Sequence, residues 1–372
     1  MYVATIFDDA ERGTITSDAA ALLAATTDTA VTEPGTEIGV MFAVSYLDRY
    51  GRPGGYALVA DAYQEKRAEE IARRWMRVLR SRRLTIADLP ALCWGGQRAQ
   101  AMIAEAEPNY VVGRPVSAGD GVIVTDLDGV PDGARVALPA QGASLAVRAE
   151  AAARGMRVTD ATCPLVAAVH ADAAGYASRG DTVVVIGDPA HAATRVLAEQ
   201  AGGARIIISD AGDVRDLTGV GSDQVSFVID PAMRTEQALA ILALLRRRFP
   251  HLRGHHFDVL CDAASDRART IESVAAASEL MLVVTRDQDS VTRGQDSVTR
   301  DQDAGWTPVR RLADLTADLL EPITSVGLAS TLSAPPGLAD EVVRALSGLG
   351  PLTIRRRRVT TREDVTPVPL PA

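Results

Sequence analysis

From about residue 89 onward, short apolar, β-branched runs alternate with helical patterns, and this alternation restricts the fold more than any other feature. The strand-like runs are GVIVTDL, ARVALPA, MRVTDA, DTVVVIGD, ARIIIS, QVSFVID, HHFDVLC, LMLVVT and SVGLAS. Between many of them lie SLAVRAEAAARG, LVAAVHADAAGYASRG, AATRVLAEQAG, RTEQALAILALLRRRF, SDRARTIESVAAASE and GLADEVVRALSGLG. Several of these close on glycine, a usual helix stop. Strands joined by helices run parallel and are covered by those helices, so the chain is of α/β class. The number of elements suits three small α/β units better than one wide sheet.

The units are placed at residues 89–160, 161–255 and 256–350, with a C-terminal tail at 351–372. Residues 1–88 read as a small α/β extension for packing or oligomerisation. In it, a strand runs from Ile38 to Leu47, a turn from Arg49 to Gly55, a second strand follows in YALVADA, and a helix starts near Tyr63 and runs to Arg82. The arginines of IRRRR line a solvated strand. TRDQDSV, TRGQDSV and TRDQDAG (residues 285–305) repeat in tandem without apolar seam positions, which reads as a lengthened polar loop rather than a coiled coil.

Composition narrows the partners. The 372 residues carry a net charge of −9, which argues against nucleic acid or an anionic membrane surface. No apolar run reaches the roughly 18–20 residues of a membrane helix, and MYVATIFDDAERG lacks the pattern of a secretory signal. The single lysine, Lys66, sits on the charged face of an amphipathic helix, so it is read as a solvated surface residue. Three widely spaced cysteines form no disulfide framework and point to a reducing cytoplasm.

Those cysteines occupy equivalent places. Cys163 follows MRVTDAT and precedes a helix; Cys261 follows HHFDVL and precedes another; Cys93 precedes WGGQRAQAMIAEAE. All three thiols therefore lie near helix N-termini, where the dipole and free N–H groups favour thiolate. Strand C-terminal ends of parallel sheets converge on a crevice, so three such units closing around a centre bring three thiolates to one point. That set suits a soft metal or an iron–sulfur cluster. Three unrelated buried thiols remain the competing reading, which spacing without a C-x-x-C pair favours. His251 and His255 share a metal-like spacing but straddle Gly254 ahead of a strand, and are read as non-ligands.

The context of the cysteines resembles one family. VTDATCPLVAAVH (158–170) closely resembles the second cysteine motif of 4-hydroxy-3-methylbut-2-enyl diphosphate reductases, the terminal iron–sulfur enzymes of the non-mevalonate isoprenoid pathway. CWGGQRA (93–99) resembles their first motif, Cys-Ala-Gly-Val followed by an acidic residue and Arg-Ala. VIGDPAHAAT, RRRFPHLRGHHFDVLCDAASDRA, VGLASTLSAP and REDVTPVPLP resemble later segments in the same order, covering about Leu89 to Pro371. The resemblance implies three α/β units in pseudo-threefold arrangement around a central [4Fe–4S] cluster held by Cys93, Cys163 and Cys261. It also implies a small-molecule substrate and a ferredoxin or flavodoxin as electron donor.

The polar residues depart from that pattern. The family's Ala-His-Gly reads Ala140-Gln141-Gly142, and its Gly-His-x-Gly-His-Pro-Glu places Asp188 at the first histidine, His191 at the second and Ala193 at the glutamate. Its Gln-Thr-Thr falls at Asp230-Pro231-Ala232, its first paired histidines fall near Arg114-Pro115, and its Ser/Asn-rich loop falls on the tandem repeat. By resemblance, His191 is the candidate proton donor, and Gln141 and Ser333 are the candidate substrate contacts. The expected function is a divergent cluster-dependent reductase that removes or rearranges an oxygen function on a less anionic substrate. The alternatives are a non-catalytic iron–sulfur sensor or scaffold, and a genuine family reductase with a remodelled pocket.

Overall fold

The computed structural model describes residues 1–32, 39–48, 50–89, 92–112, 123–189, 191–217, 224–256, 259–286, 306–331 and 334–360. Most of the tandem repeat, Arg114-Pro115 and Ser333 lie outside the described residues. The chain forms two compact units: Pro90–Arg269, and Met1–Leu89 with the described residues of 270–359.

The Pro90–Arg269 unit holds two four-stranded parallel sheets. In the first, the strand order is Arg157–Asp160, Arg135–Leu138, Tyr110–Val112, Ile123–Thr125. In the second it is Arg205–Ile208, Thr182–Ile186, Val225–Ile229, Arg253–Gly254. Val183 to Ile186 and Val225 to Ile229 are buried along their whole length, as strands covered on both faces must be. The covering helices Leu145–Ala153, Pro164–Ser178, Ala192–Gln200 and Thr235–Arg248 follow the patterns read from sequence.

One reading fails here. HHFDVLC contains no strand among its described residues; the strand is the short Arg253–Gly254 just before it. The cause is His255, whose Nε2 accepts the Ile229 N–H at 3.1 Å, while its ring meets Phe227 edge-on at 5.8 Å. A side chain thus takes the backbone donor that a continuing ladder would use. This engagement also removes His255 from any metal pairing with the exposed His251.

The other unit holds a five-stranded parallel sheet, ordered Trp306–Val309, Leu280–Val284, Ser325–Ser330, Arg82–Ala87, Leu352–Arg357. Arg355 to Arg357 are exposed on its last strand, the solvated strand expected from their charge. A second sheet is ordered Ala30–Thr32, Tyr2–Ala4, Pro53–Ala60, Val40–Leu47. Its long hairpin pairs Val40 with Ala60 through Leu47 with Pro53. Leu22, Leu23, Leu58 and Trp75 share one core with Leu84, Leu282, Val326 and Leu346. Lys66 is exposed on the helix Glu65–Met76, whose Ala68, Ala72 and Trp75 are buried.

That helix stops at Met76, short of the expected Arg82, because Arg82 begins a strand and is only 3% exposed. Its guanidinium donates to the carbonyls of Val78 at 2.6 Å, Leu320 at 3.1 Å and Leu349 at 3.1 Å. Each carbonyl lies at or just past a helix C-terminus, where orphan C=O groups and the negative dipole end favour a cation. Burial, followed by the charge of Arg80, lowers the Arg82 pKa to about 10, which leaves it charged near neutrality. Arg82→Met should cost about 3 kcal/mol or more in denaturant unfolding, since three buried acceptors lose their donor. A loss below about 1 kcal/mol would show that water replaces the guanidinium.

Glu279 ties two strands of the same sheet together. Its carboxylate accepts the N–H of Thr324 at 2.7 Å and of Ser325 at 2.9 Å, and the Thr324 hydroxyl at 3.0 Å. These N–H groups, then the hydroxyl, bring its pKa down from 4.5 to about 2. A depressed carboxylate adds stability that is present above its unfolded pKa and lost as pH falls through the folded one. Glu279→Gln should therefore lower the thermal midpoint at pH 6, with the difference from wild type shrinking between pH 4.5 and 2. Calorimetric scans across that range check it.

Candidate functional site

The three cysteines all belong to the Pro90–Arg269 unit and all stand where a helix begins. Cys93 is the N-cap of Trp94–Ala106, and its sulfur accepts the Gly96 N–H at 3.4 Å. Cys163 is the N-cap of Pro164–Ser178, whose proline at the first turn needs no N–H partner. Its own N–H reaches the Ala140 carbonyl at 2.9 Å. Cys261 directly precedes Asp262–Ala275 and is anchored by its N–H to the Pro231 carbonyl at 2.8 Å.

The thiols come together. Cys93 and Cys261 stand close enough for each thiol to shift the other. The Cys261 thiol, aided by the N–H groups of Gly96 and Gly95 against the opposing cost of burial, brings the Cys93 pKa down to about 6. Cys261 is pushed up by the neighbouring Cys93 thiol and by burial. Cys163 meets the same helix start: a Cβ on Gly95 would stand 2.4 Å from the Cys163 sulfur. Glycine at 95 is what lets the first turn of the Cys93 helix approach Cys163.

Among the described residues, no three His, Cys, Asp or Glu side chains are gathered tightly enough for one metal ion. Sulfurs sharing a single zinc lie about 3.8 Å apart, whereas the irons of a cluster space their cysteines at roughly 6–7 Å. Three thiols that converge at helix starts are the donor chemistry an iron–sulfur cluster takes.

Gln141 and His170 belong to the same unit as the thiols. Gly142, the residue after Gln141, packs on His170: its Cβ position is 3.0 Å from the ring. The Gln141 Oε1 and His170 Nε2 atoms are both buried without a hydrogen-bond partner. Burial, then the charge of Arg148, pushes His170 down to about 4, so its ring is neutral. Arg148 itself is bound to Asp160 at 2.6 Å and to the Thr162 hydroxyl at 3.2 Å.

His191 caps the helix Ala192–Gln200, and its Nδ1 lies 3.5 Å from the carboxylate of Asp230. Asp230 follows the strand Val225–Ile229, is 2% exposed and accepts the Thr194 hydroxyl at 2.7 Å. Ala193 is buried beside Thr194 and offers no acid. Gly95, His170, Thr194 and the pairing of Asp230 with His191 were not legible as site features, because their partners are distant in sequence.

Residues 85–347 match the LytB protein family, which is more than half of the chain. The chain belongs to the LytB family. Among its relatives, 4-hydroxy-3-methylbut-2-enyl diphosphate reductase 2 of Mycobacterium bovis is 33% identical over 257 residues, 68% of this chain and 78% of that one. The 4-hydroxy-3-methylbut-2-enyl diphosphate reductase of Methylibium petroleiphilum is 30% identical over 300 residues, 77% of this chain and 91% of that one. The solved E-1-hydroxy-2-methyl-but-2-enyl-4-diphosphate reductase of Plasmodium falciparum shares the fold. Its TM-score is 0.62 at 21% identity, covering 78% of this chain and 96% of that one. The LytB match begins at residue 85, within the strand Arg82–Ala87, and leaves the N-terminal sheet outside it.

Gly95→Ala tests the approach of Cys163 to the first helix. The new methyl would collide with the Cys163 sulfur, while alanine favours the helix by about 1 kcal/mol over glycine. Iron retained after anaerobic reconstitution should drop below half of wild type, with the thermal midpoint unchanged or higher. Full iron loading would mean that Cys163 is not a ligand.

Proposed function

We propose that this LytB protein is an iron–sulfur reductase whose Cys93, Cys163 and Cys261 hold one [4Fe–4S] cluster. The convergence of the three helix starts carries the reading, with the Cys93 pKa lowered by its neighbours and Cys163 close against Gly95. When bound, such a cluster supplies a Lewis-acidic iron and a conduit for electrons. A ferredoxin- or flavodoxin-class carrier delivers those electrons one at a time. No helix among the described residues is long and apolar enough to cross a membrane.

The chain's own groups bind and protonate the substrate. His191 delivers the proton that an oxygen function needs in order to leave. Gln141 contacts the substrate, and the unpartnered Gln141 Oε1 and His170 Nε2 give it neutral polar partners. These groups are unlike those of a diphosphate site. A diphosphate carries about two to three negative charges and calls for converging cationic or N–H donors. Here His170 is neutral, and a buried carboxylate stands beside His191. The favoured substrate is therefore a small hydroxylated molecule of lower charge, processed in the cytoplasm.

The second reading, a genuine 4-hydroxy-3-methylbut-2-enyl diphosphate reductase, is favoured by the named relatives at 30–33% identity. Anaerobic purification should yield about four irons and four sulfides per chain. Assay with reduced methyl viologen and 4-hydroxy-3-methylbut-2-enyl diphosphate then separates the two readings. Turnover should fall roughly 10²–10⁴-fold below an ordinary reductase, given the missing acid at Ala193. Ordinary turnover would establish the second reading, and absence of iron would end both.

A further inference from the structure

Asp230 is a buried carboxylate that the proposed chemistry leaves without a task. Burial in this unit is expensive for a charge, and the surroundings are built to keep it charged. Its Oδ2 accepts the Thr194 hydroxyl at 2.7 Å, and its Oδ1 accepts the Ala232 N–H at 2.9 Å. Its backbone N–H continues the ladder to the Ile186 carbonyl at 2.9 Å, which fixes the carboxylate at the end of the strand. Gly187 leaves room for the pair, since a Cβ there would stand 2.7 Å from the Thr194 hydroxyl and 3.1 Å from the Asp230 Cβ. Burial pushes the carboxyl pKa up, yet the His191 contact and charge, the Thr194 hydroxyl and the Ala232 N–H outweigh it and hold it low. The fixed charge faces one imidazole nitrogen, His191 Nδ1, at 3.5 Å. The His191 side chain remains 19% exposed.

We infer that Asp230, held by Thr194 and Ala232, is the positioning residue that fixes His191 with Nδ1–H toward the carboxylate and Nε2 as the proton-exchanging nitrogen. The inference rests on His191 acting as the proton donor of the reductase proposed above. Nε2 takes a proton from water, and the carboxylate stabilises the imidazolium while it carries that proton. The Nε2–H bond then breaks as the proton passes to the departing oxygen. The ring returns to neutral, and Asp230 remains a carboxylate throughout. The reducing electrons come from the one-electron carrier already named. Serine-type triads use the same division of labour, in which a carboxylate orients the ring without taking its proton.

The test reads the ring directly and needs no substrate. Long-range proton–nitrogen NMR on ¹⁵N-histidine-labelled, cluster-loaded oxidised protein resolves the chain's five histidines, with His191→Gln assigning the relevant signal. With the ring neutral, wild-type His191 should be dominantly the Nδ1–H tautomer, and Asp230→Ala should convert it to a mixture, with iron content retained. A dominant Nε2–H tautomer in wild type overturns the inference whether or not the variant folds. An unchanged Nδ1–H tautomer in Asp230→Ala overturns it as well. Because neither outcome depends on turnover, failure of the reductase reading would be seen separately, in the iron count and the assay.

Discussion

The start of an α-helix leaves backbone N–H groups without partners, and this unsatisfied end organises the chemistry of the molecule. Cys93 and Cys163 are N-caps, Cys261 sits one residue before a helix, and His191 caps a fourth. A sulfur there accepts what the helix must otherwise give to water, as the Gly96 N–H does with Cys93. The same contact serves the helix and lowers the thiol pKa. Parallel strands make this repeatable, because each one hands the chain to a helix at the same edge of its sheet.

The sequence announced this arrangement because its signals are local. Apolar runs of five residues and helices ended by glycine are contained in short windows, and the strands Thr182–Ile186, Val225–Ile229 and Leu280–Val284 fall within the runs read for them. The placement of each cysteine between such a run and a helix is equally local. Contacts that span the chain stayed hidden. Arg82 looked like the end of a helix, but its partners Leu320 and Leu349 lie more than 230 residues away. HHFDVLC had the composition of a strand, and only the folded position of Ile229 shows why His255 ends it. Asp230 read as a lost polar contact; its partner Thr194, 36 residues upstream, makes it a held charge.

Two of the buried charges among the described residues, Arg82 and Asp230, are stabilised in contrasting ways. Arg82 pairs with no carboxylate among the described residues and donates instead to carbonyls at helix ends. Asp230 is satisfied by a hydroxyl, an amide and a ring that is still partly exposed. A charge enclosed by backbone is inert, whereas one with a titratable neighbour at the surface can exchange protons through it. His170 completes the contrast: burial holds it neutral, and its Nε2 has no hydrogen-bond partner.

The strand Arg82–Ala87 sits between Ser325–Ser330 and Leu352–Arg357. A sheet interleaved in this way has an order of assembly imposed by synthesis. The early strand leaves the ribosome with neither neighbour made, and both arrive only when the last quarter of the chain does. At about 10 residues per second, that interval is roughly half a minute. During it, the core shared by Leu22, Trp75 and Leu84 with Leu282 and Val326 stays open, and pairing across such a separation is slow by nature. The segment carrying the three cysteines is translated in between and has its own sheets to close. Cys93, Cys163 and Cys261 can therefore be brought together while the five-stranded sheet is still missing two of its strands.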